Sequence, residues 1–519
     1  MAQSIAATIP GFQLSRSRRN AVTAGLMTAS MLAALETTVV TTAMPTVISH
    51  LGGLQIYSWV FSAYLLTSTV TVPIWGKLSD IYGRRRFYLA GIVVFLIGSV
   101  LSGVAHSMTA LIIYRAIQGL GAGAVVPIGL TIIGDIFTLE ERAKMQGFFS
   151  GVWGLASILG PVTGGFITDH LSWRWVFFIN LPIGIVALAI IGSALIEPPH
   201  HGKRAPIDYA GAITLTGCVT LLLFLLLEGG KSTGWISAPV ATMTILCIAL
   251  FAIFIYIQTK ASEPLLPLSL FQNRIFSSAS VMNVMAGVVF YGAITYTPLF
   301  MQGVIGTTAT QAGSVLTPLL LSWVTCSIIT SRLSLKVGYR PMVIAGGLML
   351  SIGSLLMLKV GVETHQGFVL FNTGLIGAGL GLCLTTMLLA VQNSVPRNQL
   401  GIATSSTMFF RTIAGALGVA IMGAILNMKM AEDLAWMAQA KGNGSSKLLA
   451  LSQDINSVVD PIARSSIAAD LLEQIRGALS HSLNGVFLIG LMVSVLAFIT
   501  GMLVPSGKPH EHVHEPVEF

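Results

Sequence analysis

Three charged residues inside long apolar runs hold most of the chemistry this sequence offers: Glu36, Arg115 and Arg411. A charge at the centre of a membrane helix costs about 2.5–3.5 kcal/mol on insertion scales, so it persists only with a partner or a task. Glu36 stands about 15 residues into the first apolar run, roughly 22 Å along a helix rising 1.5 Å per residue. Arg115 stands about 6 residues into the fourth run, which returns the other way, roughly 9 Å below the outer face. In a hydrocarbon core about 30 Å thick the two fall at a similar depth, where they can pair directly or through Gln118. Desolvation and a nearby arginine act in opposite senses on such a carboxyl, which makes Glu36 a candidate proton carrier that also attracts a cation. The plainer reading is a fixed structural ion pair, or a glutamate snorkelling to the outer surface. Arg411 lies mid-run with no acidic partner evident around it. It can bond backbone carbonyls and polar side chains and hold its helices together, or it can serve in anion contact or gating.

A second constellation is GKLSDIYGRRR, Gly76 to Arg86, a short cationic turn between two apolar runs. Helices joined so closely are antiparallel neighbours, and clustered arginines keep such a turn in the cytoplasm. Gly76 and Gly83 permit close helix approach and a tight reversal. Asp80 can bridge to the basic residues around it, Arg84 and Arg85 among them, or to a neighbouring helix end. The pattern returns about 255 residues later as SRLSLKVGYRP, which points to a duplicated membrane unit. Leu78, Ser79, Gly83 and Arg85 are matched there by Leu333, Ser334, Gly338 and Arg340, but Asp80 has become Leu335. Only the first copy is expected to act as a switch.

The fifth run, GVWGLASILGPVTGGFI, sets Gly151, Gly154, Gly160, Gly164 and Gly165 around Pro161, the composition of a closely packed, bent helix. Trp59, Tyr64, Trp153, Asn283, Tyr291 and Tyr296 are candidate cavity residues, with packing or interfacial anchoring as the plainer reading. The GLGAGA stretch follows no strand and sits inside an apolar run, so a dinucleotide loop is set aside. No GxxxxGK[ST] loop occurs, which excludes ATP-driven pumping by this chain. The four cysteines all lie in apolar runs and read as small packing residues. His510, His512 and His514 read as part of a solvated tail. No cofactor and no metal site are expected.

The elements that must position these groups follow from composition. The chain has 519 residues, 54% of them hydrophobic and 9% charged, where a soluble domain carries about 25% charged residues. This is the composition of an all-α polytopic membrane protein. A membrane β-barrel would alternate apolar and polar residues instead. The net charge of +8 lies in alternate loops and forms no continuous face for nucleic acid. Roughly fourteen runs reach the length of about 20 residues needed to span a bilayer. They centre near Leu32, Leu66, Phe95, Gly121, Leu155, Ile185, Leu221, Ile248, Gly287, Leu319, Leu350, Leu380, Gly415 and Leu491. Basic residues in the alternating short loops favour one side by about six to one, which places both termini in the cytoplasm. The expected organisation is a cytoplasmic extension over 1–20, a six-helix bundle over 21–198 and an inserted helix pair with linkers over 199–264. A second six-helix bundle over 265–505 follows, with a long outer loop at about 428–482, and then a tail over 506–519. The extension shows no cleavable signal.

These motifs together resemble the major facilitator superfamily. GKLSDIYGRRR is similar to its loop 2–3 signature, YRAIQGLGAG to its span 4 signature, and GVWGLASILGPVTGG to the span 5 signature of its exporters. LETTVVTTAMPTV resembles the span 1 signature of drug exporters, and WRWVFFINLPIG the opening of span 6 in the fourteen-helix drug:proton antiporter branch. The resemblance covers nearly the whole chain. It implies the major facilitator fold with fourteen transmembrane helices, and a proton-coupled multidrug antiporter of the cytoplasmic membrane working by alternating access. Its cargo would be lipophilic and cationic. By motif, Glu36 is the membrane acid, with Arg115 and Gln118 beside it. Gly76, Asp80, Gly83, Arg84 and Arg85 form a cytoplasmic gate whose contacts Asp135 accepts, and Gly160, Pro161, Gly164 and Gly165 form the antiporter hinge. The family usually carries aspartate where Glu36 stands. The expected partners are a drug-like molecule, protons and the lipid bilayer. A periplasmic adaptor and outer-membrane channel would join them in a two-membrane bacterium. The alternatives are an exporter of one endogenous metabolite, such as a siderophore, lipid or antibiotic, and a transport-inactive sensor or scaffold.

Overall fold

The computed structural model describes residues 15–51, 58–197, 208–228, 237–262, 264–307, 309–396, 399–441 and 469–506, and among them regular structure is entirely helical. Ten of these helices are long and apolar enough to cross a membrane, and each expected span centre falls inside a helix. The first group comprises α1 (Arg16–Leu51), α2 (Ser58–Tyr82), α3 (Arg84–Gly103), α4 (Met108–Ile136), α5 (Leu139–His170), α6 (Trp175–Phe178) and α7 (Asn180–Ala194). A pair follows, α8 (Tyr209–Glu228) and α9 (Ala238–Lys260). The second group comprises α10 (Arg274–Phe300), α11 (Ala309–Ser314), α12 (Leu316–Val337), α13 (Tyr339–Met357), α14 (Gln366–Ser394), α15 (Leu400–Lys441) and α16 (Ala469–Leu503).

The duplication suggested by the repeated loop extends to the packing. In the first group α2 and α3 each pack on α4, α1 packs on α5 and α7, and α3 packs on α7. In the second, α12 and α13 each pack on α14, α10 packs on α15 and α16, and α13 packs on α16. The two groups meet reciprocally, α5 on α12 and α15 on α2. The first group buries two apolar clusters, both drawn from Val22–Leu195, and the second buries one drawn from Leu270–Val504. The α8/α9 pair packs on α2 and α15 through a small cluster of Val70, Leu215, Val219, Phe254 and Phe409.

The repeated turn has the same backbone in both copies. Gly83 has φ 106° and Gly338 φ 94°, and their amides donate to Ser79 O at 3.1 Å and Ser334 O at 2.9 Å. Gly83→Ala places a side chain in a region essentially reserved for glycine, an expected loss of about 1–3 kcal/mol. A lowered unfolding midpoint of the purified protein in detergent is the measurement. The outer loop expected over 428–482 is shorter than that: α15 remains helical to Lys441 and α16 begins at Ala469. Apolar periodicity stops where the lipid does, but a helix can continue into water. The expectations for residues 1–14, 198–207, 442–468 and 507–519 lie outside the described residues.

Candidate functional site

The structure brings Glu36 and Arg115 into direct contact, an ion pair with the two residues 1% and 2% exposed. The fixed rise of α1 and α4 sets the two at one depth, and apolar packing around them excludes water. The guanidinium also donates to Gln118 Oε1 at 2.7 Å and to Val60 O at 3.3 Å. Asn180 Nδ2 donates to the other Glu36 oxygen at 2.5 Å and to Ser99 Oγ at 2.9 Å. Gln118 Nε2 donates to the same hydroxyl at 3.3 Å, and the Ser99 hydroxyl donates in turn to Phe177 O at 2.9 Å. A closed ring results: Glu36, Arg115, Gln118, Ser99, Asn180 and back to Glu36. Both carboxylate oxygens thus accept from N–H donors. Tyr64, half-buried, lies over the guanidinium with its ring centroid at 4.2 Å, a cation–π contact that strengthens away from water.

Ser99 and Asn180 went unremarked in the sequence. Asn180 opens α7 just after the break that separates it from α6. Pro182 has no N–H to offer the carbonyl four residues earlier, which marks that break. An asparagine beside a proline in an apolar run was the available signal. Ser99 carries no such mark.

The second centre is at the α2–α3 turn. Arg84 pairs with Asp80, and its Nε donates to Asp135 Oδ2 at 3.0 Å. It also reaches Ser79 Oγ at 3.2 Å, and its backbone amide donates to Glu197 Oε1 at 2.5 Å. Asp80 looks the other way, into the second group. Its oxygens accept from the amides of Gly401 at 3.0 Å and Ile402 at 2.7 Å, in the first turn of α15. A carboxylate there meets unpaired amides and the positive end of the helix dipole together. A Cβ at Gly76 would collide with Ser405, and one at Gly401 with Asp80 itself, so both glycines are needed for this approach. Two further bonds cross nearby, Gln392 Nε2 to Leu130 O at 3.2 Å and Arg142 to Gln392 O at 3.3 Å. The duplicate lacks this device, since Leu335 packs against the apolar core. The start of α5, equivalent to that of α15, caps itself through Thr138 and Glu141. Arg85 is exposed and contacts Gly192 O within its own group.

The remaining candidates are scattered. Gly160 and Gly164 are buried in α5, while the side-chain positions of Pro161 and Gly165 lie outside the described residues. Trp59 packs on Phe224 of α8 with ring centroids 5.9 Å apart. Trp153 is 40% exposed on α5. Neither joins the buried ring, because an aromatic in an apolar run looks the same whichever way it faces. Asn283 is buried and donates to Ala279 O at 2.9 Å. Tyr296 is buried too and donates to Val419 O at 2.6 Å. Tyr291 and Arg411 are half-buried in the second group. Among the described residues no cluster of three or more His, Cys, Asp or Glu side chains suits a metal.

A multi-pass helical membrane protein with two like groups, a buried charge ring in one and ties between them at one end, is built as a transporter of small molecules rather than an enzyme. The chain belongs to the Major Facilitator Superfamily, whose profile matches residues 26–419. It is 38% identical over 496 residues to "Multidrug transporter protein MdtP" of Bacillus subtilis, covering 94% of this chain and 91% of that protein. It is 36% identical over 491 residues to "Multidrug resistance protein 3" of the same organism, with 94% and 95% covered. Among solved structures it matches the human organic anion transporter MFSD10 (TETRAN) with a TM-score of 0.58 at 15% identity, covering 92% of this chain and 100% of that one. That match speaks to the fold.

Proposed function

We propose that this chain is a proton-coupled multidrug exporter of the fourteen-span branch, set in the cytoplasmic membrane with both termini inside, which exchanges protons for lipophilic cations. The observation that carries the coupling is the Glu36 carboxylate, sealed among Arg115 and Asn180 with both oxygens occupied by donors. Relatives named as multidrug transporters support the cargo class. A proton arriving from outside neutralises Glu36, which frees Arg115 and Asn180 and unlatches the ring. Cargo leaves, the halves reorient, and on the cytoplasmic side proton loss and cargo binding compete. Tyr64, half-buried over Arg115, is the side chain through which bound cargo acts on the ring. Asp80, seated on the first turn of α15, holds the cytoplasmic side closed in one of the two states, and its release shifts their populations.

The test is cargo-evoked proton movement. Purified protein in acid-inside liposomes carrying a pH dye should release protons when a lipophilic cation such as tetraphenylphosphonium is added outside. The liposome interior should accumulate labelled cargo in step. Accumulation with no accompanying proton flux would overturn the coupling, and loss of both would overturn the cargo class.

A further inference from the structure

We propose that Arg411 is an anion-binding subsite in the second group of helices, taking the carboxylate or sulfonate of an amphiphilic cargo. The inference begins with a charge imbalance. From Pro264 to Ala431 the sequence holds a single acidic residue, Glu363, and it lies in the turn between α13 and α14. No carboxylate therefore stands in α10, α12, α13 or α14, nor in α15 before Glu432, about six turns beyond Arg411. Arg411 itself is half-buried, and among the described residues its guanidinium makes no hydrogen bond or ion pair; its electrostatic neighbour is the Tyr291 phenol. Arg115, the other arginine set deep in a span, has Glu36, Gln118 and Val60 O as partners. A membrane arginine left with open donors is suited to a ligand that brings its own negative charge.

Depth decides which ligand. Arg411 stands about 11 residues into α15, roughly 16 Å along its axis, near the middle of a hydrocarbon core about 30 Å thick. Lipid headgroups lie at the faces of that core, so a cargo anion rather than a phosphate fits the position. The surroundings suit an amphiphile. A Cβ at Gly287 would collide with Arg411 O, and one at Gly415 with the Tyr291 ring. The two glycines thus bring the α15 backbone against α10 and hold Arg411 beside Tyr291. Tyr291 meets Phe290 edge-on at 5.1 Å, and Phe290 meets Trp323 edge-on at 4.8 Å. An aromatic wall therefore adjoins a guanidinium, whose planar fork binds a carboxylate or sulfonate through two parallel bonds. With Glu36 attracting cations in the first group, the cargo class extends to anionic and zwitterionic lipophiles.

This rests on the reading of the chain as an exporter of lipophilic compounds, but an equilibrium binding assay separates it from proton coupling. The full chain in nanodiscs of zwitterionic lipid is titrated with radiolabelled taurocholate, an anionic amphiphile, and with tetraphenylphosphonium. The wild type should bind both. R411Q should weaken taurocholate by about tenfold or more, as the loss of charged hydrogen bonds implies, and leave tetraphenylphosphonium within about twofold. R411K keeps the charge without the planar fork and should fall between. If R411Q binds neither probe, R411K decides. Taurocholate selectively weakened supports the subsite, and both probes equally affected overturns it. Absence of taurocholate binding by the wild type, or equal binding by R411Q, also overturns it. So does displacement of taurocholate by anionic lipid added to the nanodisc, which would make the ligand a headgroup.

Discussion

Glu36→Gln is expected to bring proton-driven export down to the level of vesicles lacking the protein, while the chain still inserts and folds. Glutamine keeps the volume, and its carbonyl still accepts from Arg115. Its amide nitrogen then faces the Asn180 amide, which now donates to Glu36 at 2.5 Å, so two donors meet and one must turn away. The larger consequence is an arginine at 2% exposure with no counter-charge. Removing one partner of a buried ion pair destabilises by about 3–5 kcal/mol. That figure is large enough for instability alone to mimic a transport defect. The double variant E36Q/R115M separates the two causes, because it removes both charges and is expected to regain most of the lost stability. If Glu36 is only a structural partner, export returns in the double variant. If Glu36 carries the proton, the double variant is stable and still inactive. Inverted vesicles under an imposed pH gradient give the rate, and undiminished export by Glu36→Gln would falsify the mechanism.

The sequence made the Glu36–Arg115 encounter legible because a helix rises by a fixed amount per residue. Counting from opposite faces of the membrane was enough to place two charges at one depth. The repeated turn was legible for a similar reason, since Gly83 and Gly338 mark backbone conformations that other residues avoid. The closure of the ring was not legible. Ser99 and Asn180 are ordinary small polar residues in apolar runs, and only the packing of α3 and α7 shows that they share one carboxylate's surroundings. Asp80 was recognisable as a residue that could reach a helix end, but the end it reaches belongs to α15, more than 300 positions away. Backbone amides leave no trace in a sequence, although Gly401 beside the carboxylate was a faint one. Trp59 and Trp153 show the converse: residue type alone singled them out, and helix rotation sets them apart from the buried ring.

Asp80→Asn should loosen the tie between the two groups of helices more than any other single change at that end. The carboxylate accepts from Gly401 N at 3.0 Å and Ile402 N at 2.7 Å, one amide to each oxygen. Asparagine keeps one acceptor and turns an NH₂ toward the second amide, so one bond becomes a clash of donors. It also removes the negative charge at the positive end of α15, worth up to about 2 kcal/mol in a partly buried setting. A hydrogen bond to a charged group adds roughly 1.5–3 kcal/mol. Together a shift of about 3 kcal/mol is reasonable, near 100-fold in the balance between tied and released states. Arg84 keeps Asp135 and Ser79, so the turn itself should stay folded. The bonds from Gln392 to Leu130 and from Arg142 to Gln392 also survive. The first, between neutral groups, is worth about 1 kcal/mol and the second, from a guanidinium, roughly 1.5–3 kcal/mol, so they moderate the opening without replacing the two Asp80 bonds. Arg85→Gln is the matched control, because Arg85 is exposed and touches only its own group among the contacts described; its effect should stay under about 1 kcal/mol. Spin labels at the exposed positions Arg86 and Arg332, in a variant whose native cysteines are replaced, report the separation across this end. A longer distance gaining population in Asp80→Asn, and not in Arg85→Gln, is the expected result. Identical distributions in both variants and the parent would mean that the Asp80 contact with α15 does not govern the two states.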